Sequence, residues 1–371
     1  MKRILLLGAG KIGQTIRLFL DQLNDIELVI ADLQQLPPPD CEFIKLESNS
    51  DLAALLSRKH IDAVINAGPF YLSTKTAIAA FSAGCSYFDL TEDIKASQHI
   101  KSLAEKAPAG QLFAPQCGLA PGFISILCSH ICSQFETLDT VRLRVGALPQ
   151  YPDNQMLYNL TWSTDGLVNE YCNPCEVIEQ GKLIHVPALD NKEEFSLEGI
   201  RYEAFNTSGG LGSLPQSLLN KVNQLNYKTI RYPGHRDLMK FLLKDLKFEQ
   251  QQRQKELVQL LDENIPMTTQ DMVLIMVSVA GQKRLANGEL RYEKLTDVRK
   301  ILHRTLQTQD LSAIQITTAA SLCAIVELWL RGNFKKQKFL LQEDVNYQDF
   351  IHTHFGKYLC QEGDHASLAG S

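Results

Sequence analysis

The chain has no surplus of positive charge. Its 37 lysines and arginines face 42 acidic residues, for a formal net charge of −5, and its pI is near 6.0. The basic footprint of a nucleic-acid partner is therefore not expected. It also lacks a disulfide framework. The nine cysteines are odd in number and scattered, which fits a reducing, cytoplasmic setting. One C-x-x-C occurs, Cys172-Asn-Pro-Cys175. A zinc site would want a second pair or nearby histidines, and a redox pair would want a thioredoxin-like βαβ setting. Neither accompanies it, and His352-Thr-His354 is equally bland, so no metal is expected. MKRILLLGAG starts basic and apolar like a secretory leader, but no cleavage site follows and none is expected. No stretch reads as long and apolar enough to span a bilayer, so no membrane partner is expected. No internal repeat, low-complexity segment or linker occurs, which predicts a cleft between two closely packed domains.

What is present begins with the glycines. An apolar run, Ile4 to Leu7, leads into Gly8, Gly10 and Gly13 in G-x-G-x-x-G spacing, and Gln14–Leu20 continues as a helix. Gly8 suits the tight turn, Gly10 lets a pyrophosphate approach the backbone, and Gly13 lets the helix pack on the strand. Lys11 and Ile12 lie between them, where a helix N-terminus offers N–H groups and a positive dipole end to phosphates. Asp32 closes the next apolar run, Glu27–Asp32. A carboxylate there accepts hydrogen bonds from a ribose 2′-hydroxyl and repels a 2′-phosphate. Leu33, Gln34 and Gln35 supply no cation to offset it. The spacing predicts a dinucleotide site, with NAD favoured over NADP; the competing reading is a site that has lost turnover.

At 371 residues, 44% apolar and 21% charged, the chain has the size of two domains, or three, and the composition of an ordinary globular protein. Strands are predicted over Arg3–Leu7, Glu27–Ala31, Glu42–Leu46, Ile61–Ala67, Ser86–Leu90 and Gln111–Pro115. A proline-rich turn is predicted over Leu36–Asp40, and helices over Leu52–Arg58, Thr74–Ala83 and Ala96–Ala107. This alternation predicts an α/β fold, a Rossmann doubly wound parallel sheet. After Cys117–Gly122 the rhythm changes. A helix is predicted over Phe123 to about Cys132. Strand character then dominates: Thr140–Ala147, Cys175–Glu179, Leu183–Pro187, Glu194–Leu197, Tyr202–Phe205, Lys228–Tyr232, Met272–Ala280 and Glu289–Lys294. Helices are predicted at Asp165–Tyr171, Leu211–Asn220, His235–Leu243 and Phe248–Leu261. The second domain is thus an α+β mixed-sheet substrate domain, largely antiparallel. The predicted division is 1–120 for the NAD-binding domain and 121–311 for the substrate and dimerisation domain. A helix over about 312–331 packs back on the first domain, and 332–371 forms a C-terminal extension.

Beyond the glycines, several motifs carry a resemblance: NAGPFY (Asn66–Tyr71), YFDLTED (Tyr87–Asp93), CGLAPGF (Cys117–Phe123), VGALP (Val145–Pro149), YNLTWSTDGLVNEY (Tyr158–Tyr171), NPCEVIEQGKL (Asn173–Leu183), YEAFNTSG (Tyr202–Gly209) and IRYPGH (Ile230–His235). With them the chain resembles the saccharopine dehydrogenase family, and within it the lysine 6-dehydrogenases, from its first residues to about Lys335. Ala120-Pro121-Gly122 stands where saccharopine-forming reductases usually carry Asp-Pro-Gly. The resemblance implies oxidation at a carbon–nitrogen bond with hydride transfer to NAD. The ε-amine of L-lysine, or of a close diamino acid, would become an imine or semialdehyde. A homodimer is implied in the same way.

Such chemistry needs a base poised near neutral pH and a cationic fork for the substrate carboxylate. Ala67, Gly68, Pro69 and Phe70 follow a buried strand and are expected at the nicotinamide ribose; a plain βα turn is the competing reading. Asp89 ends the next strand, where it would hold or deprotonate the amine, or cap the following helix. Glu92 is a weaker acid candidate that reads as a solvated charge. Arg231 is the fork candidate against a salt bridge, and His235 the second catalytic candidate against a structural histidine. Tyr71, Arg144 and Trp162 are further substrate-binding candidates, each with a packing or solvent-facing alternative. Two rivals stand: a reductase of an aldehyde–amine imine, of the saccharopine or carboxynorspermidine dehydrogenase type, and a non-catalytic dinucleotide sensor.

Overall fold

The computed structural model describes residues 1–34, 41–47 and 50–360; the turn expected over Leu36–Asp40 lies outside them. The chain divides into two compact units, Met1–Ile126 with Gln315–Ser371, and Leu127–Ile314.

The first unit opens with β1 (Lys2–Leu7), α1 (Lys11–Leu20), β2 (Ile26–Asp32), β3 (Glu42–Lys45), α2 (Leu52–Arg58), β4 (Ala63–Asn66), α3 (Ser73–Ala83), β5 (Ser86–Asp89), α4 (Ile94–Lys106) and β6 (Phe113–Ala114). The strands form one sheet in the order β3-β2-β1-β4-β5-β6, parallel at every pairing. The chain reverses its winding between β1 and β4, which is where such sheets open a ligand crevice at the carboxyl ends of the strands. Helices on both faces explain why these strands are continuous apolar runs. Leu5, Val29, Val64, Tyr87 and Phe113 join Ala77 and Ile100 in one core. Each large side chain sealed from water adds about 1.5–3 kcal/mol. Local signals fix the helix starts: Asp51 accepts from Ala54 N at 3.0 Å and Asp93 from Ala96 N at 2.7 Å, as N-caps do.

The sixth strand is shorter than the run Gln111–Pro115 suggested. Pro115 has no N–H to give a ladder, and the Gln111 side chain turns inward to Ala80 O and Cys85 O.

Helix α5 (Phe123–Cys132) crosses the boundary between the units. The second unit then runs β7 (Thr137–Pro149), α6 (Thr164–Cys172), β8 (Cys175–Glu179), β9 (Lys182–Val186), β10 (Glu193–Leu197), β11 (Ile200–Asn206), α7 (Leu214–Leu218), β12 (Gln224–Arg231), α8 (His235–Lys240), α9 (Gln251–Asn264), β13 (Asp271–Arg284), β14 (Leu290–Leu302) and a small hairpin, β15 (Arg304–Leu306) with β16 (Gln309–Leu311). Its main sheet is ordered β10-β11-β12-β7-β13-β14, with β8 on β12 and β9 on β8. Only β12 and β7 pair in parallel; the other pairs are antiparallel. The expected mixed, largely antiparallel sheet is thus present. Its last hairpin is longer than expected: β14 follows β13 through Leu302, a residue pair at every step. Helix α7 is shorter than the span Leu211–Asn220, because Pro215 sits in its first turn and Asn220 takes a left-handed φ of 64°.

Helix α10 (Ala313–Arg331) and α11 (Tyr347–Ile351) complete the chain. Contrary to the reading of the sequence, α10 is by length and composition apolar enough to cross a membrane. Here it is a core helix: Leu322, Cys323, Ala324, Ile325 and Val326 are fully buried. Gln315 Nε2 reaches Thr15 Oγ1 on α1 at 3.2 Å, and Trp329 meets Phe88 edge-on at 5.5 Å. Its apolar girth serves the first unit's interior. The segment beyond it also packs into that unit. Lys338 O and Leu340 N bracket Phe113 at 2.8 and 2.9 Å, extending the sheet past β6, and Phe355 stacks on Phe19 at 5.5 Å.

Candidate functional site

In the first unit the glycine loop sits at the point where the sheet's winding reverses. Gly8 ends β1 at φ +95°, and a Cβ there would stand 2.8 Å from Gly68 N at the end of β4. The two strand ends thus meet backbone to backbone. At Gly13 a Cβ would lie 2.0 Å from Gly8 O, so helix and strand approach only because that side chain is missing. Gly10 differs: a Cβ would meet nothing within 4 Å. It is also the N-cap of α1 and carries no capping side chain. The loop therefore presents open space in front of a helix N-terminus, the arrangement that accepts a phosphate. Lys11 is exposed and Ile12 half-buried in the first turn.

Asp32 ends β2 beside this loop. Its Oδ2 accepts from Ala9 N at 2.7 Å and its Oδ1 from Gln34 N at 2.8 Å. Two backbone donors thus fix the carboxylate, and lone pairs remain for a ribose hydroxyl. Leu33 is 56% exposed and brings no charge. One cation escapes a reading of neighbours in sequence: exposed Lys45 on β3 is the register partner of Asp32. The groups present fit a nicotinamide dinucleotide.

Along the same sheet edge, β4 ends at Asn66, whose Oδ1 accepts from Gly68 N at 3.2 Å and whose Nδ2 donates to Ser73 Oγ at 3.2 Å. This holds Ala67 and Gly68, half-buried, ahead of exposed Pro69 and half-buried Phe70. Phe70 and the 69%-exposed Tyr71 line a depression of about 320 Å³ with Thr74, Asp93, Lys95 and His99.

Three acids stand at and just after the end of β5 and differ sharply. Asp89 is wholly buried. It accepts from Tyr87 Oη at 2.8 Å, Thr91 N at 3.0 Å and Gln116 N at 2.9 Å, and burial raises its carboxyl above the usual range. It is an internal acceptor that binds two loops, and Asp93 takes the capping role instead. Glu92 is half-buried. Burial first, then the charges of Asp93 and Asp89, push its carboxyl up to about 7. Burial, invisible in sequence, separates it from a solvated charge.

In the second unit, Arg231 at the end of β12 is 2% exposed. Its Nε donates to Tyr171 Oη at 3.1 Å, its Nη1 to Ile230 O at 2.8 Å, and its guanidinium lies 5.2 Å from the Tyr158 ring centroid. Among the described residues it makes no ion pair; Glu170 acts on it through space. His235, wholly buried at the start of α8, bonds Tyr171 Oη through Nε2 at 3.1 Å and Met156 O through Nδ1 at 3.3 Å. With Nδ1 donating to that carbonyl, Nε2 accepts from Tyr171, which in turn accepts from Arg231. Burial and then Arg231 hold His235 down at about 3, so it stays neutral. Buried Glu203 anchors the turn between them, accepting from Gly234 N at 3.1 Å and Arg236 N at 2.7 Å.

The structure thus joins Arg231 and His235 through Tyr171 and Tyr158, two residues that the reading of single positions passed over. Both tyrosines bracket the Tyr158–Tyr171 motif, the signal that would have found them. Trp162, half-buried, lies on the first turn of α6: a Cβ at Gly166 would meet its ring at 2.5 Å. Arg144 stands apart from this cluster. It ion-pairs with Glu193 through Nε and bonds Asn226 Oδ1 at 2.8 Å, and Lys228 meets the same carboxylate at 2.8 Å. Burial pushes Glu193 up, but Arg144 and Lys228 outweigh it and hold its carboxyl at about 2. The Cys172 and Cys175 thiols are pushed up by burial, to about 11 and about 12, which keeps both protonated.

Two family models match nearly the whole chain. Residues 4–114 match the saccharopine dehydrogenase NADP binding domain, and residues 118–364 match the saccharopine dehydrogenase C-terminal domain. Among solved structures, the chain is similar to the saccharopine dehydrogenase (L-Glu forming) of Saccharomyces cerevisiae, with a TM-score of 0.72 at 16% identity over 95% of this chain and 98% of that one. It is also similar to the homospermidine synthase of Legionella pneumophila, solved in complex with NAD, with a TM-score of 0.65 at 13% identity over 94% and 88%. Identities this low speak for a shared fold.

Proposed function

The chain belongs to the saccharopine dehydrogenase family, and from that premise we propose that it is an NAD-dependent oxidoreductase that oxidises the ε-amine of L-lysine or a close diamino acid. The observation that carries the amino-acid part is Arg231. A guanidinium 2% exposed, in contact with no carboxylate among the described residues and met by buried Glu170 only through space, is costly to keep. A substrate α-carboxylate supplies a negative charge in direct contact, and Arg meets a carboxylate with two parallel N–H donors.

The residues of the first unit would hold the dinucleotide: Gly8, Gly10, Lys11, Ile12 and Gly13 around the pyrophosphate, Asp32 on the adenosine ribose, and Ala67 to Phe70 by the nicotinamide ribose. When bound, NAD supplies the acceptor for the hydride that leaves the amine-bearing carbon. Asp89 and His235 serve this reaction as positioning groups. Asp89 fixes the ends of β5 and β6. His235, neutral at working pH, holds the Tyr171 hydroxyl that steadies Arg231. Tyr71 and Trp162 complete the substrate contacts, and Arg144 shapes the sheet beneath. The homodimer implied by the resemblance belongs to the same proposal, and a mass measurement in solution checks it.

The test is direct. Purified chain with L-lysine and NAD is expected to produce NADH. Consumption of NADH with an aldehyde–amine pair, and no NADH from lysine, would assign the reductase chemistry instead. NADH binding with no turnover of any amine would leave a sensor.

A further inference from the structure

We propose that Glu92 is the proton acceptor of this reaction, a role that rests on the amine-oxidising reading above. The end of β5 and the loop after it carry three carboxylates, and two are already engaged. Asp89 is sealed inside with Tyr87, Thr91 N and Gln116 N on its oxygens. Asp93 closes the first turn of α4 through Ala96 N. Glu92 makes no hydrogen bond or ion pair to another side chain among the described residues, and it is neither sealed nor fully solvated. Its place is set by topology. β5 pairs with β4 so that Asp89 stands beside Asn66, and Glu92 follows three residues later at the carboxyl edge of the sheet. In a doubly wound sheet of this order the adenosine lies over the β1–β2 side and the nicotinamide over the β4–β5 side. Glu92 therefore stands on the half of the edge where the reacting carbon must come.

The step balances without a further reactant. The substrate ammonium gives one N–H proton to the Glu92 carboxylate, and the nitrogen lone pair is freed. The carbon–hydrogen bond breaks with its electron pair transferred to NAD as hydride, and the lone pair closes a carbon–nitrogen double bond. Water then releases the aldehyde and ammonium, and the Glu92 proton passes to solvent. The charges facing Glu92 are Asp93 from its own loop and Asp89 at the end of β5; Lys95 and His99 of α4 line the neighbouring depression.

Glu92→Gln keeps the shape and removes the base. With the full chain and the amine that wild type oxidises, kcat is expected to fall by about 100-fold or more, with KM for the amine and affinity for NADH within about threefold of wild type. In wild type, kcat/KM falls about tenfold per pH unit on the acid side of neutrality, because a protonated carboxyl accepts nothing. That limb vanishes in Glu92→Gln, and Glu92→Asp recovers part of the rate and the limb. A Glu92→Gln variant that matches wild type and keeps the limb overturns the role and leaves the amine-oxidising reading intact. A wild-type chain that oxidises no amine overturns the reading, and the role falls with it.

Discussion

Arg144 and Arg231 lie on β7 and β12, strands that run side by side, and both are almost sealed from water at 5% and 2% exposed. Their surroundings are opposite. Arg144 shares Glu193 with Lys228, so its charge is answered within the protein. Arg231 is met by the hydroxyl of Tyr171, the face of Tyr158 and a backbone carbonyl. A buried cation with its own carboxylate belongs to the scaffold. A buried cation in direct contact with neutral groups alone, with Glu170 acting on it only through space, is on the proposal above a binding site kept ready, its desolvation cost met more fully when an anion arrives.

Substitution separates the two most sharply. Arg231→Met is expected to lower kcat/KM for the amino-acid substrate by about 100- to 1,000-fold, the loss of a charge-assisted pair. Its melting temperature should fall less than that of Arg144→Met, since no contact ion pair is broken and Glu170 acts on Arg231 only through space. Arg144→Met should do the reverse. It leaves Glu193, more than a third exposed in its side chain, with Lys228 alone, and costs about 2–3 kcal/mol of stability. Its steady-state rates should stay within about threefold per folded molecule. Equal melting temperatures, or equal rates, would erase the distinction.

A smaller effect tests the polar cluster on Arg231. His235 is held at about 3 against an ordinary 6.5. Between those values the unfolded chain binds a proton that the folded chain refuses, so stability is lost as pH falls below 6.5. The contribution is about 2 kcal/mol between pH 7 and pH 5. Denaturant unfolding of wild type and His235→Gln at both pH values should show that much less pH dependence in the variant. The same low value implies that His235 contributes no limb to the rate profile near neutrality. Smallest of all, Asp32→Ala should weaken NAD binding about tenfold and improve NADP relative to NAD. Lys45, opposite it on β3, should become the residue on which the remaining NADP affinity depends.

The two units were not equally legible in sequence. The first is announced by local rules. Glycines at 8 and 13 allow approaches that only a missing side chain permits, 2.8 and 2.0 Å from a built Cβ, while Gly10 leaves open space, and Asp32 ends its own strand. The parallel, doubly wound sheet followed from the βα alternation; its strand order comes from the structure. The second unit's cluster draws on residues from Tyr158 to His235 and exists only once the sheet has formed. Arg144 finds Glu193 49 positions away, a pairing no spacing rule reveals. Burial is what single positions conceal. It turned Glu92 from a surface charge into a near-neutral carboxyl, placed Asp89 in the interior, and made the apolar stretch of α10 a core helix.

The central claim is that Arg231 awaits the carboxylate of an amine substrate. It is tested most directly by comparing L-lysine with cadaverine, the same diamine lacking the carboxylate, in NAD reduction by wild type and Arg231→Met. Wild type is expected to prefer lysine by about 100-fold or more, and Arg231→Met to lose most of this preference. Equal turnover of the two amines by wild type, or a preference unchanged in Arg231→Met, would contradict it.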